Sequence, residues 1–105
     1  MRSILLPGVA RACPLHSPMG ANEPSPLNVG DIAVYHVSVE NVPGLTASWS
    51  ASGGTVLARR RIDRGPEALV HCAVRWTSAG SGQVTVTLTA PSCTQDVTRP
   101  VNVLP

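Results

Sequence analysis

The chain is predicted to fold as a small antiparallel β-sandwich, and three observations carry that prediction. The first is the stretch 83–90, in which Val84, Val86 and Leu88 alternate with Thr85, Thr87 and Thr89. A period of two puts one set of side chains on a buried face and the other on a wet one, whereas an amphipathic helix needs apolar residues every three to four positions. The second is a series of turn signals, Asn28-Val29-Gly30-Asp31, Asn41-Val42-Pro43-Gly44, Gly53-Gly54, Asp63-Arg64-Gly65-Pro66 and Ala79-Gly80-Ser81-Gly82. They recur about every ten residues, the spacing of short strands joined by hairpins. The third is composition: 13% charged residues, with nine glycines and ten prolines. Low charge with abundant Val, Thr, Ser, Gly and Pro favours strands and turns.

The elements follow in order. Pro24-Ser25-Pro26 is an extended lead-in. Residues 32–39 make a first full strand. The next, 45–51, carries Leu45, Ala47 and Trp49 on one face and Thr46, Ser48 and Ser50 on the other. Gly53-Gly54 turns the chain into 55–61, and the polar stretch 63–66 leads to 68–76, where Val70, Cys72, Val74 and Trp76 alternate. After 83–90 a final strand spans 97–104, with Pro100 marking an edge or a break. Six or seven such strands form the pattern of an immunoglobulin-like sandwich. At 105 residues the chain holds one core, and its 43% apolar content is too high for a disordered segment.

One order of landmarks carries a resemblance. Tyr35-His36-Val37, Trp49-Ser50-Ala51-Ser52-Gly53-Gly54, Val74-Arg75-Trp76, Gly82-Gln83-Val84-Thr85-Val86 and Cys93 together resemble the PKD-like domain over 24–104. Such modules recur in large cell-surface and secreted bacterial proteins. The resemblance implies an antiparallel sandwich of about seven strands acting as a non-catalytic structural or adhesive module. Departures are visible. The Gly-Asp-Gly turn of the better-known branch is here Gly53-Gly54-Thr55, and a tyrosine common two residues before the first tryptophan is Ala47. The early cysteine able to pair with the late one is missing near Asn28-Val29, which leaves the family's disulfide open unless Cys13 serves Cys93.

Cysteine arithmetic by itself allows one disulfide among Cys13, Cys72 and Cys93 and leaves one thiol over. No pair has the spacing of a metal knuckle, and His71 and Cys72, as strand neighbours, face opposite sides. All eight cations are arginines; Arg59, Arg60 and Arg61 are contiguous, and Arg64 follows. A net charge of +2 and one short run give a weak nucleic-acid footprint, so none is expected to bind. The economical reading of the run is a solvated loop or a charged edge strand. As a surface patch, Arg59, Arg60, Arg61 and Arg64 are candidates for partner contact. Trp49 shares its face with Leu45 and Ala47 and belongs to the core. Trp76 shares its face with Val70, Cys72 and Val74, but it ends its strand and so joins the contact candidates.

Residues 1–23 read differently. Ile4-Leu5-Leu6 is a brief apolar run broken by Pro7 and Gly8, and Arg11 lies inside the segment resembling a cleavage site before Cys13. The expectation is a flexible or weakly signal-like leader over 1–23 and a folded domain over 24–105, with no stretch long enough to cross a membrane as a helix. His16, His36 and His71 sit in no catalytic motif, the six acids are scattered, and the glycines lie in hairpin contexts. No enzyme activity, metal or cofactor is expected. The expected role is an extracellular or cell-surface module that contacts a protein partner or spaces other domains. Two alternatives stand beside it: a carbohydrate-binding module that uses an exposed tryptophan on polysaccharide, and a small secreted effector or inhibitor with a pronounced apolar patch.

Overall fold

Alternation decides which side of every strand is dry. In the computed structural model, which describes residues 13–105, Ala33, Tyr35, Val37 and Val39 are buried while their neighbours along the strand are not. Seven strands result: β1 (Gly20–Asn22), β2 (Ile32–Glu40), β3 (Thr46–Ser52), β4 (Gly54–Arg64), β5 (Glu67–Trp76), β6 (Gly80–Ala90) and β7 (Cys93–Val103). They form two antiparallel sheets, one ordered β1-β2-β5-β4 and the other β3-β6-β7. The described residues contain no helix.

Register brings the inward positions together. Tyr35 lies opposite Cys72 and Val37 opposite Val70 in the larger sheet; Trp49 lies opposite Val86, and Val86 opposite Val97, in the smaller. The inner faces of the two sheets merge into one apolar cluster that includes Trp49 and Trp76. With no phenylalanine in the chain, Trp49, Trp76 and Tyr35 supply its aromatic bulk.

Trp76 fits because glycines flank it. A Cβ on Gly82 would stand 2.7 Å from the Ser52 carbonyl oxygen and 2.9 Å from the indole, and one on Gly54 would stand 2.9 Å from the Arg75 carbonyl oxygen. These contacts lie partly against backbone, which cannot swing aside. Gly54 therefore does more than turn the chain: it lets strand and indole approach closely.

Four boundaries differ from expectation, the first being β6, which begins at Gly80 inside the expected turn 79–82. Of the two readings of the arginine run, the charged edge strand holds, and β4 continues past the expected end at 61 to Arg64, with the hairpin to β5 confined to Gly65 and Pro66. Strand β7 starts at Cys93 and passes through Pro100, which is tolerated because β7 is an edge of its sheet. The expected leader falls partly on residues 1–12, outside the described residues. From Cys13 onward the chain is fastened to the sandwich, so the boundary expected at 23 does not coincide with the edge of the sheet. Gly20, Ala21 and Asn22 pair with His36, Tyr35 and Val34, and Met19 is buried. The Ser17 amide donates to the Ser38 carbonyl at 2.8 Å, and the Glu40 amide to the Leu15 carbonyl at 2.8 Å.

A disulfide joins Cys13 to Cys93, 80 residues apart with Cα atoms 5.4 Å from each other. It ties the start of the first segment to the head of β7. Nearby, Gln95 Nε2 donates to the Pro14 carbonyl at 2.8 Å and Arg99 Nη1 to the Met19 carbonyl at 3.3 Å. One long side of the sandwich is thereby closed.

Two measurements check this account. Gly82→Ala should lower unfolding free energy by about 1–3 kcal/mol in urea titrations, while Ser81→Ala, at an exposed neighbouring position, should stay within about 0.5 kcal/mol. Equal effects would mean that no slot confines Trp76. Reducing the disulfide closes no new contact but frees the unfolded chain, and should cost about 2–4 kcal/mol. An unchanged melting temperature in reducing agent would show that the bridge fastens nothing.

Candidate binding face

The two outer faces of the sandwich differ in chemistry. On the smaller sheet, Ser48, Thr87 and Asp96 form one line across the strands, and Ser50, Thr85 and Thr98 the next. Their polar groups serve one another: Thr87 Oγ1 donates to Asp96 Oδ1 at 2.7 Å, and the Thr85 and Thr98 hydroxyls are 3.3 Å apart. This is a polar plate whose groups are in part bonded to one another.

The outer face of the larger sheet is mixed. Gly20, His36, His71 and Arg60 stand in line across β1, β2, β5 and β4. The next line is Asn22, Val34, Ala73 and Ala58; on the other side come Ser38, Leu69 and Ile62. Val34, Leu69, Ala73 and Ile62 are half-buried although they point away from the core. Between bulkier neighbours, the alanine pair Ala58 and Ala73 leaves a groove of about 380 Å³ lined also by Val34, Ile62, His71 and Arg60. Beside it, β4 carries a bulge between Val56 and Ala58, which changes the side on which successive side chains fall. Val56 lies opposite inward Val74, while Ala58 lies opposite outward Ala73.

The bulge also sorts the arginines. Arg60 and Arg64 lie opposite His71 and Glu67 on the outer face, whereas Arg59 and Arg61 lie opposite Cys72 and Val70 on the other side of the strand. Arg61 is committed to the fold: its Nε pairs with Asp63 Oδ1 at 2.8 Å, and its Nη1 and Nη2 donate to the Leu45 carbonyl at 2.6 Å and Asn41 Oδ1 at 3.1 Å. Arg59 and Arg60 form no ion pair among the described residues. The fifth contact candidate is corrected. Trp76 has no exposed surface, because Thr77 and Ser78 fold over the strand end onto the Gly53 carbonyl, and its Nε1 donates to Tyr35 Oη at 3.1 Å.

Electrostatically the groove is positive. His71 Nε2 is buried without a partner, and its ring centroid is 6.2 Å from that of His36. Desolvation first, then His36, Arg60 and Arg64, hold the His71 imidazole below its usual pKa. Behind the sheet, burial pushes the Cys72 thiol up to about 11, so it stays protonated and unreactive. Among the described residues no three His, Cys, Asp or Glu side chains gather as a metal site. What the face offers is contact: an apolar floor, an imidazole and a cationic rim.

No family model, curated protein or solved structure matches this chain. The face must therefore be read from its own chemistry. Sequence reasoning had named Arg59, Arg60 and Arg64 but missed Val34, Ala58, Ile62, His71 and Ala73. A signal existed in Ala68-Leu69-Val70-His71-Cys72-Ala73-Val74, which is largely apolar on both faces of one strand.

The electrostatics predict a pH response. A histidine whose folded pKa is depressed binds its proton more readily in the unfolded chain, so stability is full above about pH 6.5 and falls as pH drops from there through the lower folded value. Proton NMR titration should show His71 titrating below the ordinary histidine range, and Arg60→Gln should move it upward. An unmoved His71 would remove Arg60 from the groove's field.

Proposed function

We propose that this chain is a non-catalytic, extracellular or cell-surface contact module of the immunoglobulin-like, PKD-like class, which meets a protein partner with the outer face of β2, β5 and β4. The single observation that carries the reading is the contrast between the two outer faces, one a polar Ser/Thr plate partly bonded within itself and the other an apolar groove rimmed by arginine. Protein-contact patches combine an apolar centre with arginine, whereas hydroxyls bonded to each other leave little to offer. The fold class is supported by strand order: β1-β2-β5-β4 against β3-β6-β7 coincides with the seven-strand arrangement of constant-type immunoglobulin sandwiches. The location is supported by the Cys13–Cys93 disulfide, a bond that persists in oxidising compartments.

The carbohydrate alternative relied on an exposed aromatic platform. The chain has two tryptophans and one tyrosine, and all three are buried, which favours a protein partner over a sugar ring. The absence of turnover is supported by the packing of the Cys72 thiol in the core and by the partners of His71, which are another histidine and arginines.

The test is site-specific photocrosslinking in cells that make the chain. A benzophenone side chain at Ile62 should join to a protein, while one at Thr87 on the plate should not. Retention on chitin or cellulose that survives folding controls, with no crosslink from Ile62, would overturn the reading.

A further inference from the structure

The open side of the sandwich is β4. It ends its sheet, and no backbone hydrogen bond outside its ladder with β5 reaches residues 55–64 among the described residues. Its outward amides and carbonyls are thus available along seven residues, from Ala58 after the bulge to Arg64. An exposed edge of this length is a template for another strand unless something selects against it. Here the selection is electrostatic. Antiparallel pairing of two copies along this edge would set Arg59-Arg60-Arg61 of each chain against the same run of the other. Arg61 is paired with Asp63, and Arg64, which forms no ion pair among the described residues, has Glu67 opposite it across the ladder; Arg59 and Arg60 have neither.

We infer that β4 takes up an extended acidic segment of a partner protein as an additional strand, with one bulky apolar side chain of that segment seated over Ala58 and Ala73. The inference rests on the contact-module reading above and names the partner's chemistry. Main-chain bonds to the edge supply affinity and the side-chain positions supply specificity, the usual division in strand addition. Geometry gives the order of side chains. The residue opposite Ala58 lies on the outer face and reaches the groove, whose floor is Ala58, Ala73 and Val34. Its neighbour lies opposite Arg59 on the other side of the strand, and the one beyond lies opposite Arg60 on the groove side. In an antiparallel addition, the pairing of every strand in this sheet, the segment recognised therefore reads, from its amino end, two acids followed by a bulky apolar residue. The same arginines that keep two copies apart attract this segment.

The test uses three nine-residue peptides with capped ends: one carrying Glu-Glu-Phe at its centre among threonines and valines, one with lysines replacing both glutamates, and one N-methylated at alternate amides to block ladder bonds. Each is titrated into the ¹⁵N-labelled full chain. The acidic peptide should shift β4 amides saturably and slow hydrogen exchange of those facing outward. The lysine and N-methylated peptides should bind at least tenfold more weakly. Arg59→Glu with Arg60→Glu should reverse the charge preference and favour the lysine peptide, which a merely structural role for these arginines would not produce. Ala58→Leu, filling the groove, should weaken binding tenfold with the rest of the spectrum unchanged. Equal binding of all three peptides, or shifts on the Ser/Thr plate, would overturn the inference. So would absence of saturable shifts at millimolar peptide. If that absence accompanies a crosslink from Ile62, strand addition is wrong and the contact face stands; if the Ile62 crosslink is absent too, both readings fall.

Discussion

The burial of Trp76 is the constraint from which most of the remaining architecture follows. An indole enclosed between two sheets brings a ring N–H that must be satisfied, since an orphaned buried donor costs about 1–3 kcal/mol. Tyr35, edge-on to the indole at 6.3 Å between centroids, accepts that bond on its hydroxyl. The hydroxyl then donates to Glu23 Oε2 at 2.6 Å, and Glu23 Oε1 meets Arg99 Nη2 at 3.4 Å. Burial, and then the bond to Glu23, push the Tyr35 hydroxyl well above the ordinary phenol range, so it remains a donor at any physiological pH. One requirement in the core thus runs from β5 through β2 to the first segment and across to β7. Glu23 and Arg99 have a reason to be where they are that surface charge alone would not supply.

The same chain of contacts makes the sandwich asymmetric. On the β1 and β7 side the disulfide, Gln95, Arg99 and the short ladder of β1 hold the first segment in place. The turn before β2 is fastened at the far end, where the Val29 amide donates to the Leu104 carbonyl and the Leu104 amide to the Leu27 carbonyl. On the opposite side, among the described residues, the Arg61 side chain ties β4 to Leu45 and Asn41 of the loop before β3, and Asn41 also donates to the Gly65 and Pro66 carbonyls of the hairpin that follows β4. The tie to β4 itself is made by a side chain, so the backbone edge of β4 is left open. A closed side and an open side are what a small scaffold needs if it is to be stiff and still offer a surface.

Much of the fold was legible, and the parts that were not share a physical cause. Strands β2, β5 and β6 could be read because they are long, alternate cleanly and end at Gly, Pro or Asn. Strand β1 is three residues long and sits among Pro14, Pro18 and Gly20, so it has no periodicity of its own and exists only because β2 offers it an edge. The arginine run could be placed in the strand 55–61 but left open between a solvated loop and a charged edge strand, because its residues are all exposed and show no alternation of their own. The bulge near Leu57 defeats phase reading outright: counted in twos from Val56, Ala58 would point to the core and Arg59 away from it, and the structure has them reversed. The groove was invisible for the same reason, since it requires knowing that Ala58 and Ala73 are cross-strand neighbours.

Specificity at such an edge comes from what it repels. An uncharged β4 would pair with any exposed strand, including its own copy, and the gain in main-chain bonds would be indifferent to partner. Two uncompensated arginines on alternate sides of the strand change the balance in both directions: they penalise basic and identical edges and leave acidic ones favoured. His71 extends the argument inward, because it occupies the line containing Arg60 and adds positive charge when protonated. Acidification therefore strengthens attraction for an acid while it weakens the sheet that presents the arginines. The two effects have opposite sign, and because the folded pKa of His71 is lowered, the destabilising one begins where an unfolded histidine takes up its proton, near pH 6.5, and grows as pH falls toward the lower folded value.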